Sequence, residues 1–357
     1  MRNKNVKQQL GLTLIELMIA MVLGLLITGG MIELFINSKQ IYRVQENQSR
    51  LQENARFAIN FLGKDIRMAG FFGCLGKNYK TSNIENALKD QANLAWTLNS
   101  VEGYDNVDNL FSVFTDVVQG TDVIVFRGLS DEGVPLVDPY SDSAQMFVDP
   151  AFNDDCPAGA QENSCHEGEI LMVTDCIQGT IFQTTQTTAV GGPDPRVNIV
   201  HSANATFTPG NAAPPTFVKE YGPGSQIAKF NTFAYYIRLN PAGQPSLYRS
   251  RISLANNEDN SLSAEELVEG VEDMQILYGE DTDEDGTANY YLNANLVDMD
   301  KVVSIKVDIL VASLDDNLAS EALSYYFPTY AEDATLAADR KIRRAYTSTL
   351  AVRNRLP

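Results

Sequence analysis

Residues 11–40 read GLTLIELMIAMVLGLLITGGMIELFINSKQ, and the rest of the chain is organised around this stretch. A short basic leader holding Arg2, Lys4 and Lys7 and no acid ends at Gly11. An apolar run from Leu12 to Ile36 follows, and it carries two carboxylates, Glu16 and Glu33. Between Leu12 and Ile32 only Glu16 is charged. At about 1.5 Å per residue, a helix of that length crosses a bilayer. The basic leader places the N-terminal side in the cytoplasm and everything beyond the apolar run outside. A secretory signal peptide would be cut after its apolar core at a small-residue site, and none follows here. A plain signal anchor has no use for a carboxylate five residues past Gly11. An acid inside a membrane segment is costly and is read as functional by default.

The helical pattern continues past the membrane. Ile41, Val44, Gln48, Leu51, Ala55, Ala58 and Leu62 recur at alternating three- and four-residue spacing, the seam of an amphipathic helix. Arg43, Glu46, Arg50, Glu53 and Arg56 fall largely on other faces. No proline interrupts residues 12–69, and Gly70 and Gly73 mark the end, next to Cys74. A helix of about 55–60 residues is roughly 85 Å long. Gly24, Gly29 and Gly30 weaken it locally, by up to about 1 kcal/mol each in water.

From residue 75 the pattern changes to strands and loops. Expected strands are Asp122–Arg127, Glu169–Asp175, Thr232–Leu239, Ser246–Ile252, Val271–Tyr278, Lys301–Ala312 and Arg344–Arg353. The Gly- and Pro-rich stretch from Val190 to Gly224 reads as long surface loops. The expected class is α+β, with one long helix packed on an antiparallel sheet. The expected divisions are 1–11 leader, 12–36 membrane helix, 37–70 amphipathic helix running into the head, and 71–357 exported β-rich head.

The 357 residues are 44% hydrophobic, enough to build a sizeable core, and the net charge is −19 although the leader is basic. So acidic a body repels phosphate backbones and argues against direct nucleic-acid binding. The four cysteines, Cys74, Cys156, Cys165 and Cys176, contain no C-x-x-C pair. His166 adjoins Cys165 too closely for the usual zinc arrangement. Two disulfides suit an exported head, and four cysteines allow three connectivities. Cys156–Cys165, closing a small acidic loop, and Cys74–Cys176, tying the helix exit to a strand, are the pairings expected here.

Gly11-Leu12-Thr13-Leu14-Ile15-Glu16 resembles the motif of the type IV prepilins: Gly, an apolar residue, three more residues, then Glu. The resemblance implies that a prepilin peptidase cuts between Gly11 and Leu12 and that the new N-terminus is methylated. Leu12 departs mildly from the usual Phe or Met. The freed amine at Leu12, with an ordinary pKa of about 8, can then lie against the Glu16 carboxylate of a neighbouring subunit. Such a buried pair sets register more than it adds stability. Three further runs, Leu51–Cys74, Val268–Gly286 and Tyr346–Leu356, together resemble the PilW family of minor pilins. That resemblance implies an inner-membrane subunit, head in the periplasm, that primes pilus assembly and sits near the tip. It implies other minor pilins, the major pilin and a tip-associated adhesin as partners. The processes it implies are piliation, twitching motility, adhesion and DNA uptake. A secretion pseudopilin shares the N-terminal motif, and a membrane-anchored binding head that never polymerises is the alternative from another class.

One more motif carries chemistry. Asp281, Asp283 and Asp285 alternate, Gly286 supplies a sharp turn, and Thr287 and Asn289 stand at the next ligand positions of a calcium loop. Leu292 occupies the twelfth position, so the bidentate Glu is missing, and Asp298 and Asp300 are the nearby replacements. The bland reading is a solvated acidic hairpin turn. A calcium ion here would stiffen a loop; no cofactor is required. No G-x-S-x-G, H-E-x-x-H, P-loop or G-x-G-x-x-G motif occurs, and the chain has two histidines, so a structural role rather than an enzyme is expected. Asp154, Asp155, Glu162 and Glu167 read as a solvated loop, and Trp96 as core.

Overall fold

The computed structural model describes residues 13–75, 83–89, 97–108, 116–130, 133–140, 144–154, 156, 165–203, 207–214, 217, 219–251 and 263–356. Gly11, Leu12, Trp96, Asp155 and Glu162 lie outside these residues.

One uninterrupted helix, α1, runs from Leu14 to Met68 over 55 residues. No proline breaks it, and Gly24, Gly29 and Gly30 stand in open space. It ends where expected: the Ala69 N–H reaches back to Asp65 O and Ile66 O, and Gly70 turns the chain at a φ of 72°. The C-terminal segment finishes the cap, since Asn354 Nδ2 donates to the carbonyls of Arg67 and Ala69 at 3.2 and 3.3 Å.

Among the described residues eighteen strands follow. The first six are β1 (Ile84–Asn86), β2 (Val101–Tyr104), β3 (Val123–Leu129), β4 (Val134–Pro135), β5 (Gln145–Val148) and β6 (Ile170–Thr174). Next come β7 (Gly179–Gln183), β8 (Gln186–Val190), β9 (Arg196–Val200), β10 (Gln226–Leu239), β11 (Pro245–Arg251) and β12 (Ser263–Glu269). The last are β13 (Val271–Glu280), β14 (Tyr290–Leu292), β15 (Val302–Ala312), β16 (Ser324–Tyr325), β17 (Thr335–Leu336) and β18 (Arg343–Ala351). The arrangement is α+β, as expected, with antiparallel pairing throughout except for the parallel pair β1–β7.

The long strand β10 links two regions of the largest sheet. Its first residues pair with β4 and β6, and from Phe230 onward it pairs with β3 and β11. A separate four-stranded sheet runs in the order β14-β13-β15-β18. The helix enters the core it shares with these sheets. Leu51, Ala55, Ala58, Leu62 and Ile66 pack with Tyr235, Ile276, Ile305, Val307, Ile309 and Leu350, all buried. Val307 and Ile309 lie on β15, which runs between β13 and β18 and is buried along nearly its whole length.

Two expectations need correcting. The seam does not engage the head from Ile41, which is 58% exposed; the first buried helix residue is Asn47. The contacts above that level are polar: Gln40 donates to Asn317 O and Leu318 O, and Asn47 to Asp315 Oδ2. The stretch expected to be loop between Val190 and Gly224 contains β9, which pairs with β5 and β8. Val197 and Ile199 alternate inward there and help build a second core with Val148, Leu171 and Phe182.

Both expected cysteine pairs lie at disulfide distance. Cys74 and Cys176 have Cα atoms 4.7 Å apart, and Cys156 and Cys165 5.8 Å apart.

Candidate functional site

The sequence singles out the start of the helix and the acidic loop between β13 and β14. At the first, Thr13 precedes the helix in extended backbone and caps it. The Glu16 N–H donates to Thr13 Oγ1 at 3.3 Å, and Glu16 Oε2 accepts from the Thr13 N–H at 3.0 Å and from its hydroxyl at 2.9 Å. This is a capping box, which satisfies two of the free N–H groups at a helix start. Thr-x-x-Glu ahead of an apolar run is the sequence signal of such a cap, so Glu16 carries a local role besides the docking role expected of it. The Gly11–Leu12 junction itself is outside the described residues.

From Thr13 to Lys39 every residue is exposed. Leu14, Leu25, Leu34 and Phe35 are each at least 68% exposed, on all sides of the helix. A helix apolar all round with no protein against it needs an apolar surrounding, either a bilayer or other helices. It is the one helix among the described residues long and apolar enough to span a membrane.

At the acidic loop, Glu284 and Gly286 take positive φ, 61° and 86°, and curl the chain back on itself. Carboxylate oxygens of Asp281, Asp283 and Asp285 all come within 4.8 Å of one another. Asp281 is 5% exposed and the other two are exposed. Asp281 Oδ2 accepts the Gly286 N–H at 2.7 Å. The N–H groups of Glu284 and Asp285 also face this carboxylate. Even so, Asp281 Oδ1 is buried with no partner at hydrogen-bond geometry.

The remaining expected ligands behave differently. The Thr287 N–H donates to Asp285 Oδ1 at 2.7 Å. Asn289 is not turned toward the carboxylates as an oxygen ligand: its Oδ1 accepts the Thr282 N–H and hydroxyl at 2.7 and 2.9 Å. Its Nδ2 donates toward Asp283 Oδ1 at 3.4 Å. Asp298 caps the short turn before β15 by accepting the Asp300 N–H, and neither residue joins the carboxylate group.

Sequence reasoning missed a second convergence. Ligand-type atoms of Cys156, Cys165 and His166 lie within 4.8 Å of one another, with His166 Nε2 3.5 Å from Cys156 Sγ. The His166 Nδ1 meets Glu169 Oε2 at 3.1 Å. With the two sulfurs at disulfide distance no thiolate is left to bind a metal. A cleft also opens between the end of α1 and the sheet, lined by Lys64, Met68, Phe233 and Arg249 among others. The guanidinium there is already paired with Asp65 and Glu265.

Residues 234–354 match the family model described as type IV pilus-assembly protein W. Residues 6–32 match the model of the prokaryotic N-terminal methylation motif. The first match runs from β10 through the acidic loop to the segment that caps α1; the second covers the capping box and most of the exposed apolar helix. The Leu51–Cys74 run lies in neither. Comparison with the curated proteins and with the solved structures returned no match.

Proposed function

We propose that this chain, a type IV pilin of the PilW family, works as a minor pilin that helps to start pilus assembly and stays near the tip. As a pilin it is anchored in the inner membrane by its apolar helix before assembly. The observation that carries the proposal is the division of one continuous helix. Its first half is bare on every side, and from Leu51 to Ile66 it is the buried spine of the head. Such a subunit leaves the bilayer only if other helices replace the lipid around residues 14–36, which is what polymerisation supplies.

Glu16 then has a role at each stage. In the single subunit its carboxylate is held by Thr13. In a filament a neighbour's Leu12 amine, freed by the prepilin peptidase, takes up the same charge and fixes the stagger between subunits. The proposed partners are other minor pilins, the major pilin and a tip-associated adhesin. Surface piliation, twitching motility, adhesion and DNA uptake are the processes it would serve, as a structural subunit and not a catalyst.

The test is deletion of the gene, with pili counted by electron microscopy and secreted enzymes assayed in the same culture. Sparse or missing pili with normal secretion is the expected result. Normal pili with blocked secretion would move the chain to the secretion pseudopilins. An uncut leader at Gly11 in cells that make prepilin peptidase would favour an anchored head that does not polymerise.

A further inference from the structure

We infer that the turn between β13 and β14 is a divalent-cation site of the calcium class, held by Asp281, Asp283 and Asp285. Two observations carry this. The first is the convergence of three carboxylates within 4.8 Å, with no Lys or Arg side chain paired to any of them among the described residues. Like charges that close repel, and a cation between them relieves the repulsion. The second is Asp281 Oδ1: the residue is 5% exposed, and although the N–H groups of Glu284, Asp285 and Gly286 face its carboxylate, this oxygen has no partner at hydrogen-bond geometry. A buried acceptor left unmade is expensive, and a hard cation is the ligand that an oxygen in this company would take.

The donor set selects the ion. Three carboxylates and no nitrogen or sulfur favour a hard, oxygen-seeking cation. The loop is short and open on the side of Asp283 and Asp285, both exposed, so waters can complete a shell of six to eight oxygens. Calcium tolerates that irregular shell, whereas magnesium demands near-octahedral geometry and gives up its waters reluctantly. Leu292 replaces the bidentate Glu and Asn289 is engaged by Thr282, so the affinity belongs with extracellular modules, at roughly 10⁻⁴–10⁻³ M.

The position of the site gives the ion a structural consequence. Asp281 donates its N–H to Lys301 O at 3.0 Å, and Glu280 Oε2 accepts the Asp298 N–H at 3.2 Å. The turn is thus joined to the segment that leads into β15. An ion at Asp281 would pin that segment and the edge strand β14, which pairs with β13 through Tyr278, Gly279 and Glu280. This inference does not depend on the pilin reading, and its failure would leave that reading intact.

The experiment uses the full chain in detergent micelles, stripped with chelator and titrated with calcium chloride by isothermal calorimetry, with magnesium as competitor. One saturable site is expected, not displaced by equimolar magnesium. Asp283→Asn and Asp285→Asn, both at exposed positions, should each weaken it at least about tenfold, while Asp333→Asn, at an exposed position just before β17 and outside the carboxylate group, should not change it. Saturating calcium should also raise the melting temperature by a few degrees, and this gain should vanish in the Asp283→Asn, Asp285→Asn double variant. The inference is overturned by no saturable binding up to about 10 mM calcium, or by equal binding in the wild type and the double variant.

Discussion

The hydroxyl of Tyr235 on β10 donates a 2.5 Å hydrogen bond to Oδ2 of Asp65 on α1. Tyr235 is fully buried, and Arg249 Nη1 approaches the same carboxylate oxygen at 3.5 Å. Burial first, and then the charge of Asp65, push the phenol well above its ordinary pKa, so it remains a proton donor. The pair joins the last turns of the membrane-anchored helix to the centre of the head.

Tyr235→Phe keeps the ring and removes the donor to Asp65 together with the longer contact to Phe61 O at 3.4 Å. A hydrogen bond to a charged group contributes about 1.5–3 kcal/mol, and Arg249 retains part of the compensation for Asp65. The expected loss lies in the lower half of that range, read from chemical denaturation of the chain in detergent. A variant as stable as the wild type would mean that Arg249 alone suffices.

Gly63 lies in the same helix where it crosses β18. A Cβ there would sit 3.4 Å from Leu350 Cδ2 and 3.7 Å from Arg67 Nη1, an ordinary van der Waals contact. Ala also costs less than Gly in a helix interior, so Gly63→Ala should be neutral or stabilising, by up to about 1 kcal/mol. Gly63→Leu has no room against Leu350 and should destabilise by about 1–3 kcal/mol. Equal stability of the two variants would show that the helix rides off the sheet at this point.

The two cysteine pairs close loops of very different length, with sequence separations of 102 for Cys74–Cys176 and 9 for Cys156–Cys165. A cross-link over a long loop removes more entropy from the unfolded chain, about 4.7 kcal/mol near 100 residues against about 3 near 15. Replacing Cys74 and Cys176 by Ala should therefore lower the melting temperature more than replacing Cys156 and Cys165. The reverse order would mean that the short loop holds local structure beyond its chain entropy.

Much of this architecture is written in local pattern. The helix, its end at Gly70 and the strands around Ile124, Ile237, Ile276 and Val307 follow from periodicity, because their buried faces repeat over many residues. The β9 strand is only Arg196–Val200, and its two inward residues are masked by the neighbouring Gly191-Gly192-Pro193, which reads as loop. The exposure of Ile41 depends on how far the head reaches along the helix, which no helical pattern encodes. At the acidic loop the alternating aspartates were legible. The diversion of Asn289 to Thr282 was not, because it depends on the closure of the turn. Glu16 shows the opposite failure: its cap was local and readable, but the costly charge in an apolar run drew the reading to assembly alone.

Asp122 gives the head a pH dependence whose sign can be stated. It is buried, accepts the N–H groups of Asn106 and Ile276 at 2.8 and 2.7 Å, and is pushed up to about 7 chiefly by burial, with Asp105 and Asp273 adding to the rise. Burial likewise pushes Asp273 up to about 6. Between the ordinary value of 3.8 and these values the folded chain holds protons that the unfolded chain has released. Their contribution to stability therefore falls as pH rises from about 4 to about 7 and is constant above that. His201 works the other way. Burial lowers it to about 4, so the unfolded chain binds a proton first and stability falls as pH drops from 6.5 toward 4. Asp122→Asn should remove the largest carboxylate contribution, a pH-dependent difference on the order of 4 kcal/mol at most across the window. Asn accepts only one of the two N–H groups, a loss of about 1–3 kcal/mol that acts at every pH and leaves the slope unaffected. His201→Phe should flatten only the acid side. Melting curves of the three chains from pH 4 to pH 8 separate these effects. If wild type and Asp122→Asn run parallel over that range, then Asp122 is ionised throughout and its two N–H partners outweigh its burial.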